Sequence, residues 1–271
     1  MPADGEGTPA SVQIESAGRG PALVLLHGWA MHSGVWLPLL PRLTERYRVH
    51  RVDLPGHGYS SSVVPYAIGT LADEVAQAVA ALPDLAEAPP IVLGWSLGGQ
   101  VALEWARIRP GSVRALVLTA STACFVQRLD WPHAMTPTTL AQFGDEFAAS
   151  YRRTLLRFLT LQVQGSAHGR AALAQLRGHL FDRGEPDPAT LREALALLAT
   201  TDMRAVVCAV ATPTLVTGGD RDTLVPSDAL RWLAGALPRA TLEIIPGAAH
   251  APFLSHPDTF VTALERFCDD L

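Results

Sequence analysis

The 271-residue chain contains no lysine: all 21 of its basic side chains are arginine. The base composition of a coding sequence accounts for such usage, and it excludes no function. Other shortages exclude more. Three cysteines, Cys124, Cys208 and Cys268, are too few and too scattered for a disulfide framework or a thiolate metal site. No apolar run reaches the length of about 18 residues that a membrane-crossing helix needs. The start, Met1-Pro2-Ala3-Asp4-Gly5-Glu6, lacks the basic and apolar regions of a signal peptide. Positive charge is not in excess either: the formal net charge of −5 gives no general attraction to nucleic acid. These absences lead to the expectation of a cytoplasmic protein that engages neither membrane nor nucleic acid. Roughly the first eight to ten residues carry no signal for ordered structure.

Apolar residues make up 48% of the chain, enough for one large buried core. Short apolar segments bounded by turn residues predict strands at Val12–Glu15, Ala22–Leu26, Arg48–Val52, Ile91–Leu93, Ala115–Thr119, Thr214–Thr217 and Leu242–Ile245. Between them, helical periodicity is read over Val35–Arg46, Thr70–Ala81, Gly98–Arg107, Ser227–Ala236 and Pro257–Cys268. Such alternation predicts an α/β protein with a mostly parallel central sheet and helices on both faces. It breaks between about Thr122 and Thr200, where only helical segments are found: Thr138–Gln164, Arg170–Leu180 and Pro188–Ala199. A helical insertion there would lie over the active site as a lid that selects substrates and excludes water. The expected organisation is a core of residues 1–121 and 201–271, interrupted by a helical lid of residues 122–200.

One motif carries the chemistry. Gly94-Trp95-Ser96-Leu97-Gly98 follows the apolar run Ile91-Val92-Leu93 and precedes a helical pattern. A Gly-x-Ser-x-Gly on a strand-to-helix turn holds its serine in a strained conformation with the hydroxyl exposed. The glycines leave room for so tight a turn, and the helix directs free N–H groups and its positive dipole end at a developing oxyanion.

A nucleophilic serine needs a base, and an acid to orient it, in the chain order serine, acid, histidine for this kind of sheet. Of nine histidines, His250 follows a predicted strand and sits in the small-residue loop Pro246-Gly247-Ala248-Ala249-His250. His27, in His27-Gly28-Trp29, suits the architecture of an oxyanion loop, and His57 lies in a turn sequence. Two carboxylates, Asp220 and Asp222, share the loop after the strand at Thr214. Asp222 is favoured, because Leu224 and Val225 would anchor the loop with Asp222 facing the histidine; Asp220 reads as a turn-capping or Arg-paired carboxylate. The backbone N–H groups of Leu97 and Trp29 are the expected oxyanion donors. Losing one such donor typically costs about 3–4 kcal/mol of transition-state stabilisation. This chemistry requires no metal or organic cofactor.

The chain resembles the α/β-hydrolases, and more closely the pimeloyl-acyl carrier protein methyl ester esterases of biotin synthesis. The resemblance rests on His27-Gly28-Trp29, Val52 to Gly58, Leu93 to Gly99, Ala120 to Phe125, Arg157 to Gln162 and Ala248 to Phe253, which spread over most of the chain. The elbow and the His-Gly loop identify only the superfamily. The Trp beside the serine, the Cys124-Phe125 pair, the Phe158-Leu159-Thr160-Leu161-Gln162 run and Ala249-His250-Ala251-Pro252-Phe253 are more discriminating together. The resemblance implies hydrolysis of the methyl ester of pimeloyl-acyl carrier protein to methanol and the free acid. It implies substrate contacts at Trp29, Ser96, Leu97, Phe158, Leu159, Thr160, Leu161, Gln162 and His250. It further implies that Arg153, Arg157 and Arg170 grip the carrier protein, although solvated arginines on an amphipathic helix are an equally simple reading. A monomer acting on a carrier-bound ester, and on small esters, is expected.

Rival readings share the fold: a general short-chain carboxylesterase, a carbon–carbon bond hydrolase with a different lid, or a non-catalytic ligand receptor that keeps the triad. A serine at position 96 argues against dehalogenase or epoxide hydrolase chemistry, in which the nucleophile is a carboxylate. Fold alone does not choose among the remaining readings.

Overall fold

Segments that are apolar at consecutive positions, not alternating ones, dominate the sheet. They mark strands buried on both faces. The computed structural model describes residues 11–86 and 88–271. The expectations about the start of the chain concern residues 1–10, which lie outside the described residues. Seven strands are formed: β1 Ile14–Gly18, β2 Ala22–Leu26, β3 Arg48–Val52, β4 Ile91–Trp95, β5 Ala115–Thr119, β6 Thr214–Gly219 and β7 Ala240–Ile245. Every residue of β4, β5 and β6 is buried, so both faces of the central sheet are covered. Burying one Leu or Val side chain contributes about 1.5–3 kcal/mol.

The strand order is β1-β3-β2-β4-β5-β6-β7, with β1 antiparallel to β3 and every other pairing parallel. From β2 the chain steps one way to β3, then returns to place β4 on the other side. This reversal opens a crevice at the carboxyl ends of β2 and β4, the place where open α/β sheets bind ligands. The loops after β2 and β4 carry Trp29 and Ser96.

Ten α-helices connect these strands among the described residues: α1 Leu40–Leu43, α2 Ile68–Ala80, α3 Leu97–Ile108, α4 Pro137–Ala149, α5 Tyr151–Val163, α6 Gly169–His179, α7 Pro188–Thr200, α8 Ser227–Ala236, α9 Pro252–Ser255 and α10 Pro257–Asp269. The helix expected over Val35–Arg46 is instead a 3-10 segment, Ser33–Leu39, followed by the single turn of α1. Pro38 and Pro41 supply no N–H to an α-helical ladder, which explains the shortening. The helix expected over Thr138–Gln164 is broken at Ser150, whose φ of −159° ends α4 and starts α5.

Helices α4 to α7 lie between β5 and β6 in the chain. Their segment is tied to the sheet at several points. Trp29 Nε1 donates to Leu191 O at 2.9 Å, Ala167 N to Gly247 O at 3.3 Å, and the Arg183 guanidinium bonds Asp53 Oδ2 at 2.7 Å and also pairs with Glu15. No described helix is long and apolar enough to cross a membrane. All three cysteines are free.

Candidate active site

Ser96 sits between β4 and α3 with φ 56° and ψ −117°. A non-glycine residue in that region costs on the order of 1–3 kcal/mol, which surrounding structure must offset. Here Ser96 N donates to Thr119 O at 3.0 Å, and Ser96 O accepts from Gly99 N at 2.9 Å. The turn is tight enough that a Cβ on Gly94 would run into the carbonyl of Gly98, and one on Gly98 into the carbonyl of Leu26. Both glycines of the motif are therefore required by close approach.

The loops after β6 and β7 bring the two other expected members to this serine. His250 Nε2 lies 3.0 Å from Ser96 Oγ, and His250 Nδ1 lies 2.7 Å from Asp222 Oδ2. Asp222 is fixed in turn: its Oδ1 accepts from Leu224 N at 2.8 Å and Val225 N at 3.0 Å. A carboxylate accepts only, so His250 carries its proton on Nδ1 and leaves Nε2 free to accept from the serine hydroxyl. Asp220 points elsewhere and accepts from Gly247 N at 2.7 Å, which shapes the histidine loop. The His250 backbone is held from both sides: Trp95 Nε1 donates to its carbonyl at 2.7 Å, and its N–H donates to Gln162 O at 2.9 Å.

Two backbone donors near the serine are without an acceptor. Neither Trp29 N–H nor Leu97 N–H has a hydrogen-bond acceptor among the described residues. The next residue, Ala30, has φ 61°. His27 supports this loop from below. Its Nε2 accepts from Leu54 N at 2.9 Å, so its proton sits on Nδ1, which donates to Gly28 O at 2.8 Å. Burial, and then the neighbouring His57, push its pKa down to about 3, and burial lowers that of His57 to about 4. Both imidazoles are neutral struts at physiological pH. Unfolding frees both to titrate near 6.5, so the stability they contribute is complete above that pH and is lost as pH falls from about 6.5 toward 4 and 3.

Ser96 and His250 open onto a cavity of about 120 Å³ with mainly apolar walls. Most of its lining comes from the segment between β5 and β6, including Phe143, Phe158, Leu161, Leu195 and Leu198. Trp29 lines it as well. Its ring meets Phe143, Phe147 and Phe158 edge-on, with centroids 5.6, 5.7 and 5.0 Å away. Arg157 and Glu146 form an ion pair on the lining, and both are well exposed, so this end of the cavity meets solvent.

The run Phe158 to Gln162 is divided by the helix that carries it. Each residue of α5 is rotated by about 100° from the last, so five consecutive side chains cannot share one cavity. Phe158 and Leu161 line it; Leu159 and Gln162 are buried elsewhere, and Thr160 is exposed. The Leu97 side chain is likewise buried away from the lining, which leaves only its N–H at the site. Arg153 and Arg170 are exposed, with no carboxylate within ion-pair distance among the described residues. No group of three His, Cys, Asp or Glu residues able to hold a metal is found among the described residues.

Sequence reasoning missed Trp95 as the group that holds the His250 carbonyl, and missed Gln162 as a backbone acceptor. It also missed Leu195 and Leu198 as lining. These two lie three apart on α7, so their shared face was available as a signal. The Trp95 bond spans 155 positions and left no local trace.

Comparison with known proteins places this geometry. The family model described as the alpha/beta hydrolase fold matches residues 21–257. A pimeloyl-acyl carrier protein methyl ester esterase of Nitrosomonas europaea is 46% identical over 256 residues, covering 94% of this chain and 99% of that protein. One of the same name from Xanthomonas axonopodis pv. citri is 46% identical over 257 residues, covering 94% and 98%. Among solved structures, an esterase from Exiguobacterium antarcticum superposes with a TM-score of 0.86 at 22% identity, covering 95% of each chain, a likeness that speaks for the fold alone. The chain belongs to the α/β-hydrolase family and, within it, to the pimeloyl-acyl carrier protein methyl ester esterases.

Proposed function

We propose that this protein is a serine carboxylesterase that hydrolyses the methyl ester of pimeloyl-acyl carrier protein, releasing methanol and the free acid in biotin synthesis in the cytoplasm. The observation that carries the chemistry is the unbroken chain of bonds from Asp222 through His250 to Ser96 Oγ, on the wall of an apolar cavity. The names of the relatives supply the substrate.

His250 Nε2 takes the proton of Ser96 as Oγ attacks the ester carbonyl, and Asp222 stabilises the imidazolium. The N–H groups of Leu97 and Trp29 receive the oxyanion. His250 then protonates the departing methoxide oxygen to release methanol, and water, deprotonated by the same nitrogen, releases the acid from Ser96. The methylene chain lies among Trp29, Phe143, Phe158 and Leu161, where each methylene removed from water contributes about 0.8 kcal/mol. Residues 122–200 serve as the lid over a core of residues 1–121 and 201–271. Exposed Arg153, Arg157 and Arg170 face the acidic carrier protein. The enzyme acts as a monomer.

The test compares kcat/KM for pimeloyl-acyl carrier protein methyl ester with that for p-nitrophenyl acetate and butyrate. A preference of at least about a hundredfold for the carrier-linked ester is expected, an energy within reach of chain burial and docking together. Turnover of the small esters alone would leave a general carboxylesterase. Ser96→Ala should abolish both activities with the fold intact by circular dichroism.

A further inference from the structure

Three non-glycine residues have a positive φ among the described residues: Ala30 at 61°, Ser96 at 56° and Ala120 at 45°. They follow β2, β4 and β5, three neighbouring strands. Strained backbone collects where function demands a particular direction of a group. Ser96 is the proposed nucleophile, and Ala30 adjoins Trp29, a proposed oxyanion donor. Ala120 has no part in that machinery.

What Ala120 turns into place is Ser121. The Ala120 N–H donates to Thr217 O at 2.8 Å, and the hydroxyl of the next residue reaches back to the turn that carries Ser96. Ser121 Oγ donates to Ser96 O at 2.7 Å, and both residues are buried. The fit is close on the far side as well. A Cβ on Gly99 would collide with Cβ and Oγ of Ser121, so the glycine after the motif clears space for this serine.

The bond has a consequence one atom further on. The carbonyl of Ser96 and the N–H of Leu97 belong to one planar peptide, in which they point in opposite directions. Whatever fixes the carbonyl also aims the N–H. Gly99 N and Gln100 N already reach Ser96 O from within α3, at 2.9 and 3.4 Å, the second of them long. Both move with the helix. Ser121 grips the same oxygen from the end of another strand, and so refers the Leu97 N–H to the sheet.

We infer that Ser121 is a positioning residue that orients the Ser96–Leu97 peptide, and through it the oxyanion hole. The inference rests on Ser96 being the nucleophile and Leu97 an oxyanion donor. Ser121 touches neither substrate nor His250; it acts on the donor that meets charge only in the transition state. Its removal therefore affects turnover and not ground-state binding.

The test is Ser121→Ala on p-nitrophenyl butyrate, beside an alkyl trifluoromethyl ketone, which forms a tetrahedral oxyanion adduct on a nucleophilic serine. A fall in kcat of about tenfold is expected, the scale of one lost hydrogen bond, with KM within about twofold. The ketone should bind weaker by the same factor as kcat/KM. Binding of the product, butyrate, which forms no tetrahedral adduct, should be unchanged. Ser121→Cys keeps the shape with a weaker donor; it should fall between, and carries the same comparison if the alanine variant does not fold. Unchanged kcat, or equal losses for ketone and butyrate, would overturn the inference. Ser96→Ala separates the two levels: residual turnover there removes the nucleophile reading itself, whereas a fully active Ser121→Ala beside an inactive Ser96→Ala removes only the role of Ser121.

Discussion

The two parts of the chain that meet at the cavity are held in different ways. On the sheet side, Ser96, Asp222 and His250 are buried, and each is fixed by hydrogen bonds to backbone or to one another. Strain is concentrated there, at Ala30, Ser96 and Ala120. On the side of helices α4 to α7, the cavity wall is apolar. The outer surface carries exposed charge pairs, Arg157 of α5 with Glu146 of α4, and Arg152 of α5 with Glu185 in the loop before α7. A directional donor or nucleophile loses its purpose if it turns by a fraction of an ångström. An apolar wall needs only shape, and exposed charges only proximity. The proposed function thus assigns reaction chemistry to the sheet and selection to the helical segment.

The sharpest way to break this division is at the acid loop, where two carboxylates stand two residues apart. Asp222→Asn should lower kcat by about 10³–10⁴, because an amide at Nδ1 favours the wrong tautomer of the histidine. Asp220→Asn should stay within about tenfold of the parent, since an amide oxygen can still accept from Gly247 N. Kinetics on p-nitrophenyl butyrate decides the matter, and the reverse ranking would transfer the acid role to Asp220.

The helical side should respond in a different parameter. Phe158→Ala removes a ring that lines the cavity and packs edge-on against Trp29 at 5.0 Å. About a tenfold rise in KM is expected for hexanoate esters, from lost apolar contact with the chain. On acetate esters, whose acyl group is too short to reach that wall, KM should change by less than about twofold. A uniform fall in kcat across chain lengths would mean that Phe158 acts by holding Trp29, and would place part of the helical wall with the reaction chemistry.

Ser96, Asp222 and His250 were legible in the sequence because each depends on a local pattern: a strand, then a loop with few choices of residue. The preference for Asp222 over Asp220 came from the same source, since Leu224 and Val225 are buried and lend their N–H groups to its carboxylate. The sheet was equally legible, because a strand buried on both faces must be apolar throughout. The helical segment was readable as helices but not as a surface. The break at Ser150 has no glycine or proline to announce it, and the phase of α5 decides that Phe158 and Leu161 line the cavity while Leu159 does not. Contacts that join the two parts were invisible. Arg183 reaches Asp53 across 130 positions, and nothing in the neighbourhood of either residue specifies the other.

The smallest effect belongs to the exposed arginines, where α5 presents Arg153 and Arg157 one turn apart. Exposed ion pairs are individually weak and screened by salt, so Arg153→Ala with Arg157→Ala should lower kcat/KM for the carrier-linked ester only about three- to tenfold at physiological ionic strength. Arg157 cannot be read alone, because it is paired with Glu146. Removing it also leaves a bare carboxylate at the solvent end of the cavity, facing an acidic partner. The single variant Arg157→Ala therefore combines a lost attraction with a new repulsion, and Glu146→Gln separates them. If Arg157 engages the carrier protein, Glu146→Gln frees it and should raise kcat/KM for the carrier-linked ester, with the gain fading as salt is added. If the pair merely joins α4 to α5, Glu146→Gln should lower the melting temperature and leave the carrier-linked and p-nitrophenyl esters equally affected. Equal losses on both esters in the double variant would confine the helical segment to chain recognition, through its apolar wall, with no share in docking.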